Sequence, residues 1–282
     1  MMRLKISVVQ PETLTGAEAP KNVERAVEYI REAARDGAKL IALPETYPGP
    51  YTVPLTYSPE EALSTVACDE RVYVVGGALE YVDAGEKGNG ACYNCLYLWG
   101  PDGKRIGRYT RTSPPGPWIY KGGSFWDFTY READELPVFD TEFGKVGILM
   151  CSEVYVPELS RIMALKGAVI TLLPAGLWSW QLHDTWRTLL WARSIENLMI
   201  TATSRNILSG GAGHAIICSP EEILAESRRP GVLTATVDLD RIQWLRDTMD
   251  HREEQWPWRT KPGIFKQWRR PELYGGIGPS ET

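Results

Sequence analysis

The sequence predicts an α/β fold built on mixed β-sheets, and three kinds of pattern support this fold class. The first is an initial β–α–β unit, in which apolar runs at residues 5–10 and 38–43 flank a helical pattern at residues 22–35. A unit of this kind joins parallel strands. The second is a recurrence of strand-like runs with helical patterns between several of them. The third is a pair of short turns between strands, which adds antiparallel pairs.

The helix of the first unit is indicated by apolar side chains at helical spacing, followed by Gly37 as a stop. The spaced positions are Val23, Ala26, Val27, Ile30 and Ala33. The second strand of the unit ends directly in Pro44-Glu45. A carboxylate therefore follows a buried strand.

Further elements follow along the rest of the chain. Strand-like runs occur at residues 72–80, 91–99, 145–150, 168–173, 198–204, 215–218 and 233–238, and helical patterns at 157–166 and 184–196. The run at 91–99 turns at Pro101-Asp102-Gly103 into 104–108, and the run at 215–218 turns at 219–222 into 223–227. These pairs make the sheets mixed. No internal repeat is visible.

Composition excludes several classes of function. The chain has 282 residues, of which 43% are hydrophobic and 24% charged, as in ordinary globular proteins. A net charge of −5 argues against nucleic acid and against anionic membranes. We expect neither a signal peptide nor a membrane span. Five cysteines, an odd number without framework spacing, favour free thiols and a cytoplasmic location.

The last part of the chain differs from the rest. We predict one domain over residues 1–255 and a C-terminal tail over 256–282. The tail is rich in proline and arginine and contains Trp256, Trp258 and Trp268. A disordered tail is one interpretation. The tryptophans favour an ordered tail packed on this domain or at a subunit interface, because exposed tryptophan surface is costly in water.

Cys151 is the first candidate for chemistry. It ends the apolar run 146–150 and precedes a predicted helix, so it would lie near the positive end of a helix dipole. That position favours a thiolate. The alternative is a small buried hydrophobic residue. Glu45 follows an apolar strand in the same way, and ligand sites in α/β sheets gather beyond such strand ends. Glu45 could be a base for the thiol, a helix cap or an ion-pair partner.

Three segments together resemble the nitrilase superfamily, the carbon–nitrogen hydrolases that include amidases, carbamoylases and nitrilases. They are Leu43-Pro44-Glu45, residues 144–153 followed by Pro157-Glu158 and Arg161, and residues 192–197. Residues 269–274 and the 101–103 turn add weaker support. The resemblance implies a four-layer α-β-β-α sandwich, with Glu45 as catalytic base and Cys151 as nucleophile.

The sequence departs from the family pattern at two places. Arg111 occupies the position where the family has a catalytic lysine, and Lys121 is an alternative cation that fits the motif poorly. Arginine can stabilise an oxyanion but cannot readily donate a proton. The family's second glutamate is also missing from residues 118–123. The acids considered as substitutes are Asp127, Glu132, Asp134 and Glu135.

Four residues are predicted to line the substrate pocket: Tyr51, Glu153, Trp178 and His183. For His183 and the tryptophans of its loop, the alternative is a surface loop with aromatic side chains packed beneath it. Other signals carry less weight. Cys92 and Cys95 would point to opposite faces of a strand, and Cys68 and Cys218 are expected to be structural. The three histidines, His183, His214 and His251, lack metal-ligand spacing, so we expect no metal. Gly210 to Gly213 lacks phosphate-loop spacing.

The resemblance implies hydrolysis of a small-molecule amide or N-carbamoyl compound through a thioester, with no cofactor. Arg111 would stabilise the oxyanion. Three alternatives stay open: a nitrilase, weakly indicated by Glu153; acyl transfer to an amine; and a catalytically silent scaffold, for which Arg111 is the main argument. The family also implies a homo-oligomer, a dimer or larger.

Overall fold

Two mixed β-sheets, with helices on their outer faces, form the described part of the chain. The computed structural model describes residues 2–82, 90–113, 129–176, 180–208, 211–248 and 259–275. The strands are β1 (Arg3–Gln10), β2 (Leu40–Ala42), β3 (Tyr73–Tyr81), β4 (Ala91–Trp99), β5 (Arg105–Thr110), β6 (Thr129–Arg131), β7 (Val138–Thr141), β8 (Gly144–Ile148), β9 (Ala168–Leu172), β10 (Ile200–Thr203), β11 (Ala215–Cys218), β12 (Ile223–Ser227) and β13 (Gly231–Asp238). The helices are α1 (Asn22–Arg35), α2 (Glu60–Glu70), α3 (Pro157–Leu165), α4 (His183–Asn197), α5 (Leu239–Asp247) and α6 (Ile264–Gln267).

Each sheet has three parallel strands at its centre. Among the described residues, the first sheet has the order β13-β1-β2-β3-β4-β5, with β6 beside the start of β4. The second has the order β12-β11-β10-β9-β8-β7. β1, β2 and β3 are parallel to one another, as are β8, β9 and β10, and the flanking pairs are antiparallel except for β4 with β6. The mixed sheets are therefore confirmed, and the carboxyl ends of the parallel strands in each sheet lie at one edge.

The main core lies between the two sheets, and it follows from the alternation of side chains along each strand. Ile6 and Val8 of β1 share one buried cluster with Ile170 and Leu172 of β9. The intervening residues of β1 face the other way, and Val9 belongs to a second cluster with α1 and α2. Helices α3 and α4 cover the second sheet.

The outer contacts of the second sheet complete the layers. The hydroxyl of Thr201 in β10 donates to the Leu190 carbonyl of α4 at 3.0 Å. A Cβ on Gly147 of β8 would lie 2.9 Å from Thr171 Oγ1 and 3.2 Å from Met163 Cβ in α3, so a larger residue would force these neighbours to shift. The predicted four-layer α-β-β-α sandwich is confirmed.

The predicted strands and helices are present, with end shifts of a few residues, and the two predicted hairpins are the pairs β4–β5 and β11–β12. Helices α2 and α5 were not predicted. In α2 the buried side chains Leu63, Val66 and Ala67 form only a narrow stripe. α5 is capped by Asp238, whose carboxylate accepts a hydrogen bond from the Arg241 N–H at 2.9 Å. No helix of the described residues is long and apolar enough to span a membrane.

Residues 259–275 contact the body of the protein near α3 and α5. The Gly263 N–H donates to the Leu245 carbonyl at 2.8 Å. The ring of Phe265 lies 4.9 Å from the Arg161 guanidinium and 5.5 Å from that of Arg246. Trp268 is 58% exposed. Trp256 and Trp258 lie outside the described residues, and the domain boundary at 255 stays a prediction.

Candidate active site

Glu45, Arg111 and Cys151 meet at the carboxyl edges of the two sheets. Glu45 is the third residue after β2, Arg111 directly follows β5, and Cys151 is the third residue after β8. The loop after β9 joins them across the sheets. Its Pro174 carbonyl accepts the Cys151 N–H at 2.8 Å, and its Ala175 carbonyl accepts the Glu45 N–H at 3.3 Å. The three residues predicted from sequence are thus brought to one place.

The Glu45 carboxylate accepts hydrogen bonds from three sides and is 7% exposed. Asn94 Nδ2 donates to Oε1 at 3.0 Å, and Arg111 Nη1 donates to the same oxygen at 2.6 Å. The Gly176 N–H donates to Oε2 at 2.7 Å. Asn94 and Arg111 belong to the first sheet and Gly176 to the second. The carboxylate therefore joins the two sheets.

The Arg111 guanidinium is buried, with 2% exposure, and all three of its nitrogens donate to protein groups. Besides Glu45, Nη2 donates to Ser152 Oγ at 2.6 Å and Nε to the Ser113 carbonyl at 3.3 Å. Burial lowers the pKa of Arg111, and the Glu45 carboxylate raises it, with a net pKa above the ordinary value. Arg111 is consequently a permanent cation beside the thiol.

Two residues at this site have left-handed backbone conformations. Cys151 has φ +51° and Thr46, directly after Glu45, has φ +53°. For residues with a Cβ, such conformations cost roughly 1–3 kcal/mol and persist only where neighbouring contacts enforce them. The sharp bend at Cys151 turns the chain out of β8 into the 3₁₀ segment Cys151–Tyr155. It fixes the thiol at the strand end.

The Cys151 thiol is neutral in the resting site. Burial raises the pKa of this thiol to about 12, with a further contribution from the negative charge of Glu45. The Arg111 cation and the Gly176 N–H oppose this increase. The helix-dipole argument from sequence predicted the opposite direction. Desolvation outweighs that dipole, so the thiol form of Cys151 is favoured over the thiolate.

Glu153, predicted to line the substrate pocket, is fully buried with 0% exposure. Its carboxylate accepts five protein hydrogen bonds, from Tyr109 OH, Thr112 N, Thr112 Oγ1, Ser113 N and Met150 N, at 2.5 to 2.9 Å. Those donors belong to the end of β5 and to the turn that carries Cys151. The carboxylate therefore links the segment that carries Arg111 to the turn that carries Cys151, and this geometry does not favour a substrate contact.

The other predicted pocket residues lie around the same edge. Tyr51 OH donates to Asn206 Oδ1 at 3.4 Å. His183, 4% exposed, has its Nε2 3.2 Å from Arg205 Nη1. Burial, then the neighbouring His214 and Arg205, lower the pKa of His183, so its ring is neutral near pH 7. Trp178 lies outside the described residues.

Sequence reasoning missed several residues that hold the site. Asn94 orients Glu45, and its own Oδ1 accepts from the Thr46 hydroxyl at 2.9 Å. Asn206 Nδ2 donates to the Glu45 carbonyl at 2.9 Å. Gly176 contacts the Glu45 carboxylate, and Ser152 contacts the Arg111 guanidinium. A polar asparagine inside the apolar run 91–99 was the available signal, because a buried amide needs partners.

The residues considered as secondary signals have other positions. Cys92 and Cys95 are free thiols in separate buried clusters, and Cys218 is buried. Cys68 is exposed on α2 and not part of the core. Glu132, Asp134 and Glu135 are exposed, while Lys121, Asp127, His251 and Gly210 lie outside the described residues. Within the described residues, no group of three or more His, Cys, Asp or Glu could hold a metal ion.

Comparisons with known proteins bear on the family and the fold of the chain. The family model for carbon-nitrogen hydrolase matches residues 5–247. Omega-amidase NIT2-A of Xenopus laevis is 29% identical over 277 residues, which cover 90% of this chain and 96% of that protein. Deaminated glutathione amidase of Synechocystis sp. is 30% identical over 247 residues, covering 81% and 90%. The carbon-nitrogen hydrolase structure from Helicobacter pylori G27 superposes with a TM-score of 0.78 at 20% identity and covers 98% of both chains.

Replacing Glu153 tests whether its carboxylate stabilises the fold by linking the segment that carries Arg111 to the turn that carries Cys151. We expect Glu153→Gln to lower the free energy of unfolding by roughly 2–5 kcal/mol, because an amide nitrogen would face backbone donors in a buried site. Denaturant unfolding measures this, with Glu158→Gln, an exposed change on α3, as the control. Unchanged stability together with a raised KM would instead support the substrate contact predicted from sequence.

The protonation state of Cys151 gives a second prediction. Since the pKa of this thiol is about 12 in the folded protein, the thiolate forms only as the pH rises towards that value. The ultraviolet difference spectrum between wild type and Cys151→Ser should show no thiolate absorbance below about pH 10. A thiolate signal that titrates near neutral pH would contradict this assignment.

Proposed function

Because this chain belongs to the carbon–nitrogen hydrolase family, we propose that it hydrolyses the carbon–nitrogen bond of a small-molecule amide, with Cys151 as nucleophile, Glu45 as base and Arg111 as the oxyanion cation. The observation that carries the proposal is the buried contact of Glu45 with Arg111 beside the Cys151 thiol. A carboxylate, a guanidinium and a thiol lie together there, and they supply the base, the cation and the nucleophile that the proposed acyl transfer from an amide requires.

In the first half-reaction Glu45 takes the proton from the thiol as the sulfur attacks the amide carbon. A carbon–sulfur bond forms, and the carbonyl oxygen becomes an oxyanion stabilised by Arg111. When the tetrahedral intermediate collapses, the carbon–nitrogen bond breaks. Glu45 returns the proton to the leaving nitrogen, and ammonia or an amine departs. A thioester on Cys151 remains.

In the second half-reaction water replaces the amine. Glu45 takes a proton from the water as its oxygen attacks the thioester carbon, and Arg111 again stabilises the oxyanion. The carbon–sulfur bond breaks, the acid leaves, and the sulfur recovers its proton from Glu45. The net reaction is amide plus water to acid plus ammonia. Arginine suffices in this scheme because its role is electrostatic, and proton transfer belongs to Glu45.

The substrate class within this proposal is a carboxamide or an N-carbamoyl compound. The names of the two relatives described above, an omega-amidase and a deaminated glutathione amidase, support carboxamides. The buried position of the cluster favours a small acyl group over a folded protein substrate. No cofactor takes part in the proposed steps.

Activity measurements test the proposal directly. Ammonia release is measured over a panel of carboxamides, N-carbamoyl amino acids and nitriles. We expect turnover of a carboxamide by wild type, its loss by at least about a thousandfold in Cys151→Ala, and its retention in Cys68→Ala. Turnover of nitriles alone would point to a nitrilase. Turnover that survives in Cys151→Ala, or none with any class, would contradict the proposed activity.

Assembly and location form a separate part of the proposal. We propose a cytoplasmic homo-oligomer, since all five cysteines are free thiols and the described C-terminal segment carries exposed apolar side chains. These are Trp268, Leu273 and Tyr274, the last two 64% and 38% exposed. Sedimentation should give a dimer or larger species that dissociates when Trp268 and Leu273 become serine. A monomer across a wide range of concentration would overturn this part.

A further inference from the structure

The contact between Arg111 and Ser152 has no role in the reaction steps above. Ser152 directly follows the nucleophile, and its Oγ accepts the Arg111 Nη2–H at 2.6 Å. The hydrogen bond from Arg111 Nη1 to Glu45 Oε1 has the same length of 2.6 Å. The two Nη groups of the guanidinium are thus divided between the proposed base and the residue beside the nucleophile.

The Arg111 guanidinium has more N–H donors than these contacts use. A guanidinium has five N–H bonds in one plane. The contacts to Glu45, Ser152 and Ser113 use three of them, one on each nitrogen. Within the described part of the chain, one N–H on each Nη therefore has no protein acceptor in Arg111. Two coplanar donors remain for an oxyanion, provided that the plane of the guanidinium is fixed.

We propose that Ser152 is a positioning residue that fixes the plane of the Arg111 guanidinium beside the Cys151 sulfur and so makes arginine effective at this place. The inference rests on the proposed function, in which Arg111 faces the oxyanion. Among the described residues, Nε is held only by a long contact of 3.3 Å to the Ser113 carbonyl. Without Ser152, the guanidinium would keep one short anchor, the one to Glu45, and could rotate.

The backbone of Ser152 is itself held in place, so its hydroxyl is a rigid acceptor. Cys151 before it has the constrained φ of +51°. Glu153 after it is fully buried and bonded to the N–H groups of Met150, Thr112 and Ser113. The residues on both sides of Ser152 are therefore fixed relative to the segment that carries Arg111. If Cys151 shifted, the Ser152 hydroxyl that holds the Arg111 guanidinium would shift with it.

A double-mutant cycle between positions 111 and 152 tests this role. The four proteins are wild type, Ser152→Ala, Arg111→Lys and the double variant. In the wild-type background we expect Ser152→Ala to lower kcat about tenfold to a hundredfold and to change KM less than about twofold, because the anchored donors act in the transition state. In the Arg111→Lys background the same change should alter kcat less than about twofold, because a lysine ammonium has no fork for Ser152 to hold.

The control is Ser7→Ala, which removes a hydroxyl contact of 2.8 Å to Thr234 between β1 and β13, away from the site. It should leave kcat unchanged. An equal loss of kcat from Ser152→Ala in both backgrounds, or no loss in either, would overturn the positioning role. Amide turnover by wild type would still support the proposed function in that case.

A second readout does not depend on turnover. The rate at which iodoacetamide alkylates Cys151 at pH 8 is measured on the four proteins by peptide mass spectrometry, with exposed Cys68 as an internal reference. Since the Arg111 cation lowers the pKa of Cys151, we expect Ser152→Ala to slow alkylation severalfold with arginine at 111 and not with lysine. This pattern without amide turnover would support the positioning role and contradict the proposed function. Identical rates in all four proteins would overturn the positioning role.

Discussion

The hydrogen bonds of the Glu45 carboxylate are the interaction on which the rest of the site depends. One oxygen accepts from Asn94 and Arg111 of the first sheet, and the other from the Gly176 backbone of the second. Removing one partner of a buried ion pair typically costs roughly 3–5 kcal/mol, because it leaves an uncompensated charge. The pair is therefore a structural constraint, and in the proposed function it is also the base and the cation of the reaction. Together with the Gly176 contact, it links the edges of the two sheets.

The fold supplies this constraint through the ends of its parallel strands. Each sheet places a loop at the same edge, and the loop after β9 bonds to the backbone of both Glu45 and Cys151. The left-handed conformations of Thr46 and Cys151 are local costs that these contacts offset. The neutral thiol follows from the same arrangement. Burial of the sulfur and the neighbouring Glu45 carboxylate both raise the pKa of the Cys151 thiol.

The sequence predicted the layers of the fold and the three central residues of the site for a physical reason. Residues that directly follow apolar strands are placed by the strands, so Glu45 and Cys151 could be located from pattern alone. Arg111 was located through the resemblance and the β4–β5 hairpin. Asn94 and Asn206 could not be located in this way. Asn94 meets Glu45 from 49 residues away along the chain, and this pairing depends on the register of β4 against β3.

Side-chain direction limited the other predictions. Glu153 lies two residues from the nucleophile, which suggested a place in the pocket, but the bend at Cys151 turns its carboxylate towards the end of β5. The sequence also predicted a lowered pKa for Cys151, whereas burial raises it. A helix dipole can be inferred from a sequence pattern, but the desolvation of a side chain cannot. Helix α2 has only a narrow apolar stripe, so its periodicity was too weak to predict it.

In the proposed function, the Glu45–Arg111 pair serves a covalent reaction at Cys151. This reaction is tested most directly by acid quenching during turnover of a carboxamide, followed by mass spectrometry of the Cys151 peptide. We expect a mass increase equal to the acyl group on Cys151, lost on treatment with hydroxylamine as a thioester should be. Steady turnover with no acyl group on this peptide, or with the group on another residue, would contradict the proposed reaction.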